Sequence, residues 1–117
     1  MIDKIVAQLK TGRIKNVIPF GDPITAPPYI VVRGVKDIAG RGTQIIVTTH
    51  MKPGQQNFLE DYCTKDIATL LEDFKSATRN GNYNLLLQEN MSEGIMVNNS
   101  DGTISMERWF LLPSLIF

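Results

Sequence analysis

The most regular pattern of apolar positions in this chain lies in residues 57–74. Apolar side chains recur there at steps of three and four residues, which places them on one face of a helix with about 3.6 residues per turn. They are Leu59, Tyr62, Cys63, Ile67, Leu70, Leu71 and Phe74. Because most charged side chains of the segment fall on the other side, we predict an amphipathic helix that covers a hydrophobic surface.

The sequence also predicts where this helix begins and ends, and a second, shorter helix. Asn57 and Glu60 have the spacing of a capping box, so the long helix should begin at Asn57. Asn80 and Gly81 tolerate positive φ and should follow its end. Residues 2–11 are predicted to form the short helix. Its apolar face would consist of Ile2, Ile5, Val6 and Leu9.

Segments rich in β-branched and aromatic residues predict the strands. They are residues 29–32, 43–49, 83–88, 94–97 and 103–112. An Asp-Gly pair at residues 101–102 indicates a hairpin turn before the last of them. In that last strand Ile104, Met106 and Phe110 are spaced for one face, which predicts that this face is buried. Residues 109–112 are apolar at every position, so we expect cover on both faces there.

Two connecting segments are predicted to lack regular structure. Prolines and glycines interrupt residues 14–28, which favours an extended connector, and residues 34–42 are expected to form a long, mobile hairpin loop. The element order is therefore helix, two strands, long helix, and two or three strands. A single α+β domain over residues 1–117 satisfies this order, with a mostly antiparallel sheet and both helices packed on one face.

Charge and composition narrow the classes of partner. Twelve basic and twelve acidic side chains give a formal net charge of zero, which argues against broad binding to nucleic acid and favours protein partners. The longest apolar run, residues 109–117, is interrupted by Pro113 and is far shorter than the ~20 residues of a membrane span. The N-terminal residues alternate charged and apolar side chains, unlike a signal peptide. We expect a soluble protein of a reducing compartment, because Cys63 has no second cysteine with which to pair.

Candidate catalytic chemistry is sparse. Cys63 and His50 are the only thiol and imidazole, but Cys63 falls on the predicted buried face, where packing is its expected role. One histidine and one cysteine are too few for a metal site, which needs three or four ligands. The glycines around Arg41 do not match a phosphate-binding motif, so a flexible basic loop is expected there. We predict no catalytic, cofactor-binding or metal-binding residue.

Two apolar segments are candidates for a protein interface. The loop contributes Val35, Lys36, Ile38 and Arg41, and the C-terminal residues contribute Leu115, Ile116 and Phe117. Large apolar side chains at a chain end expose surface unless something covers it. They either return to their own core or enter a neighbouring copy, and the second alternative implies a multimer.

The whole pattern resembles the tail terminator proteins of long-tailed bacteriophages, also called tail-completion or minor tail proteins. The resemblance lies in the N-terminal helix, the proline-rich lead into Pro28-Tyr29-Ile30-Val31-Val32, the loop and the strand at residues 44–50. It continues through the helix at residues 59–71 and the closing strand at residues 101–109 before Pro113.

Membership of this family would imply a ring, commonly of six copies, that caps the tail tube, stops its polymerisation and joins it to the head connector. The expected partners are further copies of the chain, the tail tube protein and the head-tail connector protein, with no membrane and no sequence-specific nucleic acid. The expected location is the virion, after assembly in the host cytoplasm. The family has no active site and needs no cofactor.

Other hypotheses remain open at this point. The chain could be another head-tail joining protein or a small non-viral α+β binding module. A nucleic-acid-binding module would require exposed aromatic side chains on the sheet, such as Trp109 and Phe110, although their apolar neighbours favour burial. A small hydrolase would require Cys63 and His50 to come together.

Overall fold

The computed structural model describes residues 2–36, 42–72, 88–90 and 95–113. The helices are α1 (Ile2–Leu9), α2 (Gln56–Asp61) and α3 (Ile67–Leu70), and a π-helical turn, Tyr62–Asp66, joins the last two. The strands are β1 (Val17–Pro19), β2 (Tyr29–Lys36), β3 (Gly42–Met51), β4 (Gln88–Asn90), β5 (Val97–Asn98) and β6 (Ile104–Pro113).

The strands form one mixed sheet in the order β1-β2-β3-β6-β4. β1 lies parallel to β2, whereas β2, β3, β6 and β4 pair with their neighbours in antiparallel fashion. The short strand β5 pairs with β6 near its start, and β4 pairs with it near its end. The predicted α+β class with a mostly antiparallel sheet is confirmed.

Both helical segments pack on the same face of this sheet, where the core lies. Alternate residues of β3 point into the core, and the helices cover them with the predicted apolar faces. The core includes Ile5, Val6, Leu9, Ile30, Val32, Ile45, Val47, Met51, Leu59, Tyr62, Cys63, Ile67, Leu71, Met106 and Phe110. The apolar periodicity of the long helix is therefore confirmed as far as Leu71, while Phe74, Asn80 and Gly81 lie outside the described residues.

The helix begins differently from the prediction. α2 starts at Gln56, and its N-cap residue, Gln55, makes no side-chain capping hydrogen bond. The capping box predicted for Asn57 and Glu60 is therefore wrong. Instead, the backbone carbonyl of Gln55 accepts a hydrogen bond from the Leu59 amide. Leu59 is fully buried, so packing of this first turn on the core, without a side-chain cap, accounts for the start of the helix.

The proline-rich segment contains a strand that the sequence did not predict. Val17 is opposite Ile30 in the β1–β2 ladder, and the Phe20 amide extends the pairing by donating to the carbonyl of Val32. β1 is an edge strand, where the missing N–H of Pro19 leaves no hydrogen bond unmade within the sheet. The prolines therefore shorten the pairing to three residues without abolishing it.

The predicted loop is shorter than expected because β2 continues through Gly34 to Lys36. Val35 pairs with Gln44, and Lys36 pairs with Thr43. These two residues belong to a hairpin ladder, so the prediction that they lie in a mobile loop is wrong. The inter-strand hydrogen bonds of an eight-residue strand outweigh the weak strand propensity of one glycine. Ile38 and Arg41 lie outside the described residues.

The predicted hairpin turn before the last strand is confirmed, but β5 comprises only Val97–Asn98, whereas a strand was predicted at residues 94–97. Val97 pairs with Ser105, and Gly102 takes the positive φ of 88° that its turn requires. The carboxylate of Asp101 accepts hydrogen bonds from the backbone amide and the hydroxyl of Thr103, which closes the turn. These bonds hold the pKa of the Asp101 carboxyl below its ordinary value.

Candidate interaction surface on the open face of the sheet

The face of the sheet opposite the helices is formed by alternate residues of three strands. Across the ladder, Tyr29 lies beside His50 and then Ser105, while Arg33 lies beside Ile46 and then Trp109. We call this surface the open face, because every helix that the structure describes packs on the other side. Its residues come from positions that alternate with the core residues of β2, β3 and β6.

A groove of about 840 Å³ runs along the open face. Its floor includes Val31, Ile46 and Trp109, the loop from Phe20 to Ile24 forms one wall, and Ile95 with Val97 forms the other. Ligand and peptide grooves in proteins commonly have this volume and apolar lining. This groove is a preformed concave surface that is mostly hydrophobic.

The exposed large hydrophobic side chains of the described residues all lie on this face. They are Phe20, Ile24, Val35, Ile95, Val97 and Trp109. Phe20 and Ile95 are 64% and 66% exposed, and five of the six line the groove. Val35 lies further along β2, on the same side as Val31 and Arg33. Apolar side chains scattered singly over a surface need no explanation, but their concentration on one face indicates a binding surface.

The loop wall is held in place by one contact with β2 and by one with the residue before β1. The guanidinium of Arg33 lies 4.7 Å from the centroid of the Phe20 ring, within the range of a cation–π contact. The side-chain amide of Asn16 donates a hydrogen bond to the hydroxyl of Thr25, which fixes the other end of the loop. Gly21 provides the turn between them, with a φ of 100°. These contacts order Phe20 while leaving its ring exposed.

The carboxylate of Glu107 fixes the position of Trp109 in the floor of the groove. Glu107 accepts a hydrogen bond from the Trp109 indole Nε1 at 3.0 Å and another from the Thr48 hydroxyl at 3.3 Å. Trp109 is still 37% exposed. The expectation that both faces are covered at residues 109–112 is therefore wrong at Trp109, whereas Phe110, on the opposite face, is fully buried.

A polar cluster closes one end of the groove. The imidazole of His50 stacks on the Tyr29 ring with centroids 4.6 Å apart, and its Nδ1 lies 3.5 Å from the Thr103 hydroxyl. Burial lowers the pKa of His50, although the carboxylates of Asp101 and Glu107 oppose that shift. The strand predicted to end at residue 49 continues to Met51, so His50 lies within β3 and is half-buried.

Cys63 lies on the other side of the sheet from His50. Its side chain is fully buried in the core, and this burial raises the pKa of the thiol to about 11. The thiolate is the nucleophilic form of cysteine, so this thiol is not activated at neutral pH. The structure does not bring Cys63 and His50 together, which leaves the hydrolase hypothesis without a site. The described residues also contain no cluster of three or more histidine, cysteine or acidic side chains that could hold a metal.

The predicted interface residues are only partly described. Val35 is exposed on the open face, and Lys36 follows it in β2. Ile38 and Arg41, with Leu115, Ile116 and Phe117, lie outside the described residues. The sequence analysis missed the groove residues Phe20, Ile24, Ile95 and Val97. The consecutive apolar residues Ile45, Ile46 and Val47 could have indicated a second apolar face, since such a run in a strand supplies apolar side chains to both faces of the sheet.

No protein-family profile and no curated protein matches this chain. In the part of the chain that the structure describes, no helix has the length and apolar character needed to cross a bilayer.

Proposed function

We propose that this chain is a structural assembly protein that acts as a tail terminator of a long-tailed bacteriophage. In this role a ring of copies, with six as the expected number, caps the tail tube, stops its polymerisation and offers a surface to the head connector. The proposal rests on the resemblance of the sequence pattern. Its main physical support is the concentration of exposed hydrophobic side chains on the open face, which suits a subunit that functions in contact with other proteins.

The position of the hairpin supports a second contact surface at one end of the sheet. Val35 and Lys36 pair with Gln44 and Thr43 at one end of the sheet, and Pro113, the last described residue of β6, pairs with Gly42 at the same end. We propose that this end contacts the tail tube or the next subunit of the ring.

The test is a tube-length assay with purified tail tube protein. Adding the chain during polymerisation should shorten the tubes at amounts far below one copy per tube subunit, because a cap acts only at tube ends. Val35→Glu should weaken this effect, since it places a charge on the proposed contact surface. Ala7→Glu, at an exposed position of α1 on the helix-covered side, is the matched control and should cap as the unmodified chain does. Tubes of unchanged length with the unmodified chain would refute the proposed function.

The exposed Trp109 and Phe20 on the sheet also favour a second candidate, a module that stacks single-stranded nucleic acid. Asp22 and Glu107 lie in the same groove as Arg33, and these carboxylates would repel phosphates. Titration with labelled single strands at two salt concentrations tests this candidate. Binding that weakens steeply with salt would favour it over the assembly role.

A further inference from the structure

We propose that the groove of the open face binds a second copy of the same chain, so that two sheets pack face to face around a twofold axis. This inference rests on the assembly role proposed above and names the occupant of the groove. The pairing itself does not require that the assembly be a phage tail. The contact would centre on the five exposed hydrophobic side chains that line the groove, away from Val35 and the ring contact at the end of the β2–β3 hairpin, and it would join copies in pairs.

The distribution of apolar side chains favours a second copy as the occupant. All six exposed large hydrophobic side chains of the described residues lie on the open face. If this face packed against another described face of a neighbouring copy, apolar side chains would meet polar ones. If two open faces pack on each other, apolar surface meets apolar surface on both sides, as in a twofold interface where the same patch is used twice.

The exposure of the patch suits such an interface. Phe20, Ile24 and Ile95 are 64%, 62% and 66% exposed, and Val97 is 48% exposed. Most of the surface of these side chains is therefore available to a partner. Protein interfaces bury an apolar centre of this kind within a polar rim.

The positions of the walls match under one particular rotation. A twofold axis parallel to the strands lays the β1–β2 side of each copy over the β5–β6 side of the other. The loop of Phe20 and Ile24 then faces Ile95 and Val97 of the second copy. The loop wall of each copy therefore packs on the wall of Ile95 and Val97 of the other copy, and this contact forms twice in each pair.

The same rotation pairs opposite charges. Arg33 lies in one row across the sheet with Ile46 and Trp109, and Glu107 is two residues from Trp109 along β6. When β2 of one copy lies over β6 of the other, Arg33 faces Trp109 and comes within reach of the neighbouring carboxylate of Glu107. Two such contacts form in each pair of chains. Complementary charges of this kind fix the relative orientation of two copies more than they add affinity.

Sedimentation equilibrium over a range of concentrations tests the pairing. The unmodified chain should reach a mass of about 26 kDa, twice the 13.1 kDa of one copy. Ile24→Glu and Ile95→Glu, at largely exposed positions, should each raise the dissociation constant at least about 100-fold, since each change acts twice per pair. Ala7→Glu adds the same charge on the helix-covered side and should leave the constant unchanged. Unfolding curves that match the unmodified chain show that these variants fold.

A charge exchange tests the twofold geometry itself. Arg33→Glu and Glu107→Arg should each weaken self-association, because like charges then meet in both contacts. An equimolar mixture of the two variants should restore the dimer, since both contacts in a mixed pair join opposite charges. A mixture that stays monomeric would overturn the twofold arrangement.

Three other results would also overturn the pairing: an unmodified chain that stays at 13.1 kDa, a mass unaffected by both Ile24→Glu and Ile95→Glu, or a ring whose mass these changes do not alter. The tube-length assay separates this failure from failure of the proposed function. A chain that caps tubes but never pairs keeps its assembly role, with another protein in the groove. A chain that pairs but never caps keeps the pairing and loses the proposed function.

Discussion

The two faces of the sheet come from the same strands but have opposite surroundings. On β6, Phe110 points to the helices and is fully buried, while its neighbour Trp109 points to the open face and is more than a third exposed. The helix-covered face is closed by its own chain. The apolar side chains of the open face have no cover from the described residues. The difference indicates that one side of the sheet stabilises the fold, while the other leaves apolar side chains available for contact.

The polar groups of the two faces show the same division. On the covered side, the hydroxyl of Tyr62 accepts a hydrogen bond from the backbone amide of Ile14 at 3.2 Å, so the connector after α1 is fastened to the long helix. Arg13 also pairs with Asp66 beside it. On the open face, Glu107 fixes Trp109 without covering it. Polar contacts on the covered side join structural elements to each other, whereas those on the open face orient Trp109 and leave it exposed.

The largest effect is expected for the thiol of the covered face. Alkylation of Cys63 should be at least about a thousand-fold slower in the native protein than in the unfolded chain, because reaction requires unfolding of the core. The raised pKa of this thiol slows the reaction further at neutral pH. The measurement is the rate of iodoacetamide labelling with and without urea. Rapid labelling in the native state would show that the covered face is not closed.

The next largest effect is the difference in unfolding free energy between alanine variants of two adjacent aromatic residues of β6. Phe110→Ala should lower the free energy of unfolding by about 3–5 kcal/mol, because it leaves a cavity in a packed core. Trp109→Ala should cost the single chain less than half as much, since its ring is partly in solvent and one hydrogen bond to Glu107 is lost. Urea unfolding at a concentration where the chain is monomeric measures both. Equal losses would contradict the division between the two faces.

A smaller effect tests how tightly the covered side is closed near α1. A Cβ added at Gly12 would lie 2.6 Å from the Tyr62 Oη and 2.7 Å from the Leu70 Cδ1. Gly12→Ala should therefore cost about 1–3 kcal/mol of stability by forcing these side chains apart. Gly34→Ala is the control, because the nearest atom to its Cβ would be the flexible end of Ile2, Cδ1, at 3.2 Å, and the next, Thr43 Cγ2 at 3.5 Å, is in ordinary van der Waals contact. If thermal denaturation shows the same loss for both variants, the clash is not its cause.

The smallest effect concerns pH and the open face. Burial holds the pKa of His50 below 6.5, so below that pH the unfolded chain binds a proton that the native chain does not. Stability should therefore fall as the pH is lowered from 6.5 to the native pKa. His50→Phe keeps an aromatic ring on Tyr29 but cannot titrate, so its urea midpoint should change less between pH 7.5 and 5.5. A steeper change in the variant would reverse the assigned direction.

Periodic elements were predictable from the sequence, and their local details were not. The apolar face of the long helix was correct through Leu71, because burial requires the same spacing in any packing. The π-helical turn at Tyr62–Asp66 has no comparable signature. The start of the helix was misplaced because packing of Leu59 on the core, not a side-chain cap, fixes it. β1 was missed because its three residues pair only through contacts distant in sequence.

The candidate site was less predictable than the fold. The sequence correctly placed Cys63 in the core and gave no support for a pair with His50, because burial follows from helical spacing. It could not show that Trp109 is exposed, since this depends on which face of β6 the helices cover. The groove walls at Phe20 and Ile95 lie in connecting segments, whose positions depend on the completed sheet.

The short edge strand β1 limits pairing with further strands at one edge of the sheet. Along that edge, Val17–Pro19 offers an incoming strand few backbone groups, and Pro19 has no N–H to donate. Addition of strands edge to edge, the route by which sheets grow into fibrils, is therefore blocked on this side. A chain that exposes apolar side chains on its open face is thereby protected, at this edge, from the strand addition that leads to fibrils.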